Sequence, residues 1–244
     1  MKTNDSLMII AHRGAAGEAP ENTLAAFKLG LEQGCTGIEL DVHLSKDGEV
    51  IVCHDGTLDR TTDSKGVIRD MTVDELKKAD AGRWFHEKYA GERVPLLEEV
   101  LDLVSPEVQI NVEIKGSYGG ETEPALLKLL HRKNRLDSVF VSSFDFVSLE
   151  LLKSLEPNIR IGQLYSIGIA KHYRMADLID QPLYSLHPQW SKLTGEAVRE
   201  AKERGLAVYP WTVNAEETMR QMIEFGVSGI ITDYPGRLKK LLEG

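Results

Sequence analysis

The chain has 244 residues, 42% hydrophobic and 27% charged, a composition that fits a folded globular protein and excludes disorder and fibrous structure. Lys and Arg number 29 against 38 Asp and Glu, and the resulting charge of −9 leaves no basic footprint for nucleic acid. No apolar run approaches the roughly 18 residues that span a bilayer, the opening MKTNDSLMIIAHRG is too short in apolar residues for a secretory leader, and Cys35 and Cys53 form neither a metal-like spacing nor a disulfide framework. A cytoplasmic protein without a membrane span is the expectation.

Short β-branched runs alternate with amphipathic segments along the chain, the signature of βα units. A strand over residues 8–11 precedes a helix over 23–33 and a second strand over 37–44. Lys46-Asp47-Gly48-Glu49 then reads as a turn, joining that strand to a short partner over 50–53. Residues 55–95 break the rhythm: they are polar, hold one short helical stretch at 73–79, and read as an insertion after the second strand. Helices follow over 97–104, 123–132, 146–155, 170–179, 195–204, 215–225 and 236–242. Interleaved with them are strands over 108–115, 138–142, 160–164, 183–187, 207–211 and 229–232. Eight such pairs in a chain of about this length fit a single (β/α)8 TIM-barrel domain over residues 1–244, although a doubly wound open sheet shares the same periodicity.

Barrel active sites gather at the carboxyl ends of the strands, and polar residues collect there. The first strand ends in Ala11-His12-Arg13-Gly14. In the second, period-two alternation puts Glu39 and Asp41 on one face and Ile38, Leu40 and Val42 on the other. In the next long strand, Asn111, Glu113 and Lys115 turn inward by the same rule. Three carboxylates thus converge on one small volume, and partly buried carboxylates need compensation. Either a divalent cation supplies it, with oxygen ligands pointing to Mg²⁺, Ca²⁺ or Mn²⁺ rather than zinc, or an ion-pair network with Lys115 and Arg13 does.

His12 and His54 are the candidate general acid and base, because imidazole titrates near neutrality. Arg13 offers a planar fork for a phosphate, and Gly14-Ala15-Ala16-Gly17 bares backbone N–H groups beside it. Asn22 or Thr23 is expected to cap the first helix. His43 has the parity of a neighbour to the metal, expected behind the ligands or at the surface; His187 points toward the mouth, where packing is expected and substrate contact is the alternative; His86, His131 and His172 are expected to be solvated.

HRG at 12–14, PENT at 20–23, ELDVHLSKDG at 39–48, VCHD at 52–55, DRTTDSKG at 59–66, VEIK at 112–115, WTVN at 211–214 and ITDYP near 235 together resemble the glycerophosphodiester phosphodiesterase family. The resemblance runs in order over essentially the whole chain. It implies a TIM barrel whose catalytic histidines fall on His12 and His54, whose metal ligands fall on Glu39, Asp41 and Glu113, and whose phosphate contacts fall on Arg13 and Lys115. It also implies that residues 55–95 are a subdomain over the mouth that helps accept glycerol, and that Trp211 matches a tryptophan at the substrate pocket, where packing is the alternative.

The implied reaction is metal-dependent hydrolysis of glycerophosphodiesters such as glycerophosphocholine or glycerophosphoethanolamine to sn-glycerol 3-phosphate and an alcohol. Alternatives are a lysophospholipid-type phosphodiesterase on the same barrel and a non-catalytic phosphate-binding barrel. The first calls for an exposed apolar rim, which the polar segment Asp59 to Lys65 does not suggest. The second would tolerate loss of a histidine or carboxylate, and none is lost. A homodimer is the expected assembly, since outer helices of barrels commonly pair.

Overall fold

A computed structural model describes residues 7–244; the amino-terminal residues 1–6, on which the leader reading partly rests, lie outside the described residues. The elements in chain order are β1 (Met8–His12), α1 (Leu24–Glu32), β2 (Gly37–Leu44), β3 (Val50–Val52), α2 (Val73–Leu76), α3 (Leu97–Leu103), β4 (Gln109–Ile114) and α4 (Thr122–Arg132). They continue with β5 (Val139–Ser143), α5 (Phe146–Leu155), β6 (Arg160–Tyr165), β7 (Ser185–Pro188), α6 (Gly195–Lys202), β8 (Ala207–Val208), α7 (Glu216–Phe225), β9 (Gly229–Thr232) and α8 (Pro235–Glu243). Eight strands run parallel in the order β8-β7-β6-β5-β4-β2-β1-β9, while β3 turns back antiparallel on β2. The two ends of that order meet where Ser228 N–H donates to Val208 O at 3.0 Å and Ile231 N–H to Pro210 O at 3.1 Å. The architecture is the expected (β/α)8 barrel, and the open-sheet alternative falls away.

Alternation along the strands divides the apolar residues into two layers. Outward side chains such as Ile38, Leu40, Val42, Ile110 and Val112 pack against the helices in the main core, which includes Phe27 and Leu149. Burying each such side chain contributes roughly 1.5–3 kcal/mol relative to exposure. Inside the barrel Ile10, Phe140, Tyr209 and Ile231 form a separate plug. Residues 55–95 carry a third small core, in which Leu58, Ile68, Leu76 and Val94 pack on Ile51 and Cys53 of the β3 region.

Local chemistry sets the boundaries. Thr23, not Asn22, caps α1 by accepting from Ala26 N–H, and Gly226 in the left-handed region ends α7. Two expected elements differ. The chain over residues 170–179 forms a 3₁₀ helix, His172–Leu178, with no side-chain cap; His172 and Met175, three residues apart, both turn inward, which suits a three-residue turn. His172 is therefore buried against Tyr165, its Nδ1 2.8 Å from the hydroxyl, and not solvated as expected. The strand expected over 207–211 stops at Val208 because Pro210 has no N–H for the ladder, although Trp211 N–H still reaches Pro188 O at 3.2 Å.

Candidate active site

The parallel register carries the three carboxylates together. His12 lies opposite Glu39, Glu39 opposite Asn111, and Asp41 opposite Glu113, so all five share the inner face at the carboxyl end of β1, β2 and β4. A cavity of about 100 Å³ opens there, lined on one side by His12, Arg13, Glu39, His54, Glu113 and Lys115 and on the other by Phe144, Leu164, Trp211 and Ile231.

Each histidine is held by an aspartate. Asp233 Oδ1 lies 2.6 Å from His12 Nδ1, and Asn214 Nδ2 fixes the other carboxylate oxygen at 2.6 Å. Asp55 Oδ1 lies 2.6 Å from His54 Nδ1, and Lys115 Nζ stands 3.2 Å from His54 Nε2. With Nδ1–H donating to the carboxylate, Nε2 is the ring nitrogen left to accept a proton in both cases, and at His54 it already accepts from Lys115 Nζ. Burial pulls the His54 pKa below its ordinary value. Burial alone would raise Asp233, but its hydrogen bond to His12 holds it low.

The carboxylates occupy contrasting environments. Burial, with Asp41 and Glu113 close by, pushes Glu39 well above the ordinary range, and burial beside Asp41 pushes Glu113 up to about 7. Asp41 is as buried, yet Arg13 and Lys115 hold it low. One oxygen from each of the three can approach within 4.8 Å of the others, and Asp41 Oδ1 is buried without a hydrogen-bond partner. A hard divalent cation fits this all-oxygen set, which is the cluster's simplest compensation.

Arg13 adopts φ +53, an uncommon backbone for a side chain of this size, followed by Gly14 at φ +83. A Cβ on Gly14 would sit 2.5 Å from the Ala26 carbonyl carbon, so only glycine lets this loop lie on α1. The turn aims Arg13 N–H at Glu39 Oε2 (3.0 Å), Nη1 at Glu21 Oε1 (2.8 Å) and Nε at Asp41 Oδ2 (3.3 Å). Lys115 Nζ donates to Glu113 Oε1 at 2.7 Å and lies 3.7 Å from Asp41 Oδ1.

The sequence-assigned site residues thus line this cavity, Trp211 included, except Asp41, which stands behind the wall against Arg13 and Lys115. Trp211 also packs edge-on against Phe144, ring centroids 5.7 Å apart, and donates Nε1–H to His187 O at 2.7 Å. Of the supporting groups, sequence reasoning named His43 alone, as a neighbour of the site or a surface residue. With Thr23 as the cap, Asn22 takes φ +56 and donates to Asp41 Oδ2 at 2.8 Å. His43 is buried, with Nε2–H donating to His54 O (3.1 Å) and Nδ1 facing the Tyr118 hydroxyl (2.6 Å). Asp233 and Asn214 lie inside the quoted ITDYP and WTVN motifs, so the signal was present without its meaning.

Exposed apolar side chains stand elsewhere on the molecule. Phe144 is 48% exposed, Val147 74% and Ile167 57%, and all three follow the carboxyl ends of β5 or β6. They lie away from the polar segment on which the earlier expectation rested.

Fold and site define a barrel enzyme equipped for phosphoester chemistry. The sequence profile of the glycerophosphoryl diester phosphodiesterase family matches residues 12–237. A glycerophosphodiester phosphodiesterase of Caldanaerobacter subterraneus is 44% identical over 239 residues, covering 96% of this chain and 97% of its own. A structure of an Oleispira antarctica phosphodiesterase in complex with the product sn-glycerol-3-phosphate is 33% identical, with TM-score 0.90 and 97% of each chain covered. A glycerophosphodiester phosphodiesterase structure from Thermotoga maritima is 32% identical, with TM-score 0.79, covering 97% of this chain and 99% of that one. The chain belongs to the glycerophosphoryl diester phosphodiesterase family, and it is a phosphoric diester hydrolase.

Proposed function

We propose that this chain hydrolyses glycerophosphodiesters to sn-glycerol 3-phosphate and an alcohol, using His12 and His54 as acid and base and a cation held by Glu39, Asp41 and Glu113. The observation that carries the reading is the pairing of two aspartate-held histidines with the carboxylate cluster around one cavity. When bound, Mg²⁺, Ca²⁺ or Mn²⁺ would supply Lewis-acid polarisation of a phosphoryl oxygen and acidify the attacking hydroxyl.

The protein's own groups do the rest. One histidine takes the proton of the attacking oxygen at Nε2 as its bond to phosphorus forms. The other gives its proton to the departing alcohol oxygen as that P–O bond breaks. Arg13 and Lys115 offset charge on the phosphoryl oxygens. Their present partners, Glu21 and Glu113, keep both cations in place before substrate arrives. Direct attack by water and prior attack by the glycerol 2-hydroxyl differ in an intermediate: only the second passes through a cyclic phosphate, which a search among early reaction species would detect and which takes up solvent oxygen only when water opens it. Residues 55–95 serve as the subdomain beside the mouth that helps accept glycerol, within a domain that extends over the chain.

A second substrate class is supported by the exposed Phe144, Val147 and Ile167, which would suit a hydrocarbon chain on the diester. The test is release of sn-glycerol 3-phosphate from glycerophosphocholine and glycerophosphoethanolamine after EDTA treatment, then with each cation restored. Metal-dependent product is expected. No product with any cation, alongside cleavage of a monoacyl glycerophosphodiester, would move the assignment to the second class; failure with both would leave a phosphate-binding barrel.

A further inference from the structure

Arg60 belongs to the insertion, far in sequence from the loop after β1, yet it ties the two together. Its guanidinium donates Nη1–H to Glu21 Oε2 and Nη2–H to Glu21 Oε1, both at 2.8 Å. The same group donates Nε–H to Asp55 Oδ2 at 2.7 Å and Nη2–H to Asp55 Oδ1 at 3.2 Å. One planar fork therefore grips two carboxylates, each through both oxygens. Neither carboxylate stops there: Asp55 Oδ1 holds His54 Nδ1, and Glu21 Oε1 holds Arg13 Nη1. His54 and Arg13 both line the cavity.

We propose that Arg60 is a positioning residue that aligns the His54 imidazole with the Arg13 guanidinium by cross-linking Asp55 and Glu21. The proposal rests on the catalytic reading given above for His54 and Arg13. Arg60 is 45% exposed, and exposed ion pairs add little to stability, so the bidentate geometry is better explained by orientation than by packing. Without Arg60 the Asp55 carboxylate is free to rotate, and the His54 ring loses the partner that fixes its tautomer and plane. Glu21 would likewise answer to Arg13 alone. A pair of arms from separate parts of the chain would then meet the substrate without common registration. The cross-link also holds the insertion against the loop after β1, so the same contacts that seat that segment align the site.

The experiment compares the full-length wild type with Arg60→Gln and Arg60→Lys, by steady-state release of sn-glycerol 3-phosphate and by the low-field proton NMR resonance of the His54 Nδ1–H, assigned with His54→Gln. Arg60→Gln is expected to lower kcat roughly 10- to 100-fold with KM changed less than about threefold, and to remove the resonance. Arg60→Lys restores part of kcat, because a single ammonium cannot engage two forks at once. A variant within about twofold of wild-type kcat that keeps the resonance would overturn the proposal. A rise in KM with kcat unchanged would also overturn it, making Arg60 a substrate contact. Should the wild type release no product from any diester, the catalytic reading fails; the resonance then still decides whether Arg60 orders His54, and its persistence in Arg60→Gln would end the proposal.

Discussion

The two sides of the barrel mouth come from the same repeating βα unit and carry opposite chemistry. Around β1, β2 and β4 the cavity is walled by His12, Arg13, Glu39, Glu113 and Lys115; toward β5, β6 and β8 it is walled by Phe144, Leu164 and Trp211. Packing cannot hold the first side, since buried charges are stable only with partners. Groups from outside the strands therefore pin it: Asp233 on His12, Asp55 on His54, Asn22 on Asp41 and Glu21 on Arg13. The second side is held by ring contacts, such as Phe140 stacked on Tyr209 with centroids 5.6 Å apart. Chemistry is concentrated where stability is spent, and the apolar side offsets that cost.

The sharpest way to break this contrast is to remove a charged-side group that no packing residue can replace. His12→Ala is expected to lower kcat roughly 10²–10⁴-fold, the usual contribution of positioned acid–base catalysis. Full activity in that variant would dismiss the assigned site. One histidine must be neutral and the other protonated, so the wild-type profile should be bell-shaped; a flat profile between about pH 6 and 9 would count against two-histidine catalysis. On the other side His187 provides the counterpart. It is fully buried beside Phe140 and Tyr209, and burial pushes its pKa down to about 3. The unfolded chain takes up this proton below the ordinary histidine value of 6.5, while the folded chain stays neutral until about 3. Stability present at neutral pH is therefore lost as pH falls through that window, by a few kcal/mol in the limit. His187→Gln should flatten that part of the curve in denaturant titrations at stepped pH, and an unchanged slope would show another group to be responsible.

A smaller effect tests the cost directly. Glu39→Gln keeps an oxygen to accept the Arg13 N–H but removes one of three crowded carboxyl groups, the one that burial beside Asp41 and Glu113 most disfavours as an anion. In EDTA the variant should melt about 2–4 °C above wild type, the shift expected for roughly 1 kcal/mol in a chain of this size, while losing activity. A lower melting temperature would mean that Glu39 stabilises the cation-free fold.

Much of the site was legible because strand alternation is local. Glu39, Asp41, Glu113 and Lys115 followed from period two on strands recognised by composition, and the inward face then needed only the barrel. Asp233 was not legible from periodicity, because its partner His12 is 221 residues away and the contact exists only once the barrel closes. Asn22 and Thr23 could not be told apart for a related reason: either polar residue before a helix can cap it, and only the fold shows that Thr23 does so while Asp41 claims Asn22. The helix expected over 170–179 had the right apolar content, but spacing of three and four are hard to separate over so short a run. His172 followed that helix to the wrong surroundings. The polar insertion drew attention from a rim that lies after β5 and β6, where no single motif marks it.

That rim supplies the finest test of the contrast. Phe144 links the cavity to solvent: it lines the wall, packs edge-on with Trp211, and is 48% exposed at its outer side. If the apolar side receives hydrocarbon, Phe144→Ala should weaken kcat/KM for a monoacyl glycerophosphodiester by roughly 1 kcal/mol, about fivefold, and leave glycerophosphocholine nearly unchanged. The loss should fall on KM, because a contact made equally in the ground and transition states does not alter kcat. Equal losses for both substrates would instead place Phe144 against the glycerophosphate portion they share, making the apolar wall part of the core recognition site. No loss for either would leave the charged side as the sole determinant of binding, since Leu164 and Ile231 lie deeper and Trp211 is already tied to the His187 carbonyl.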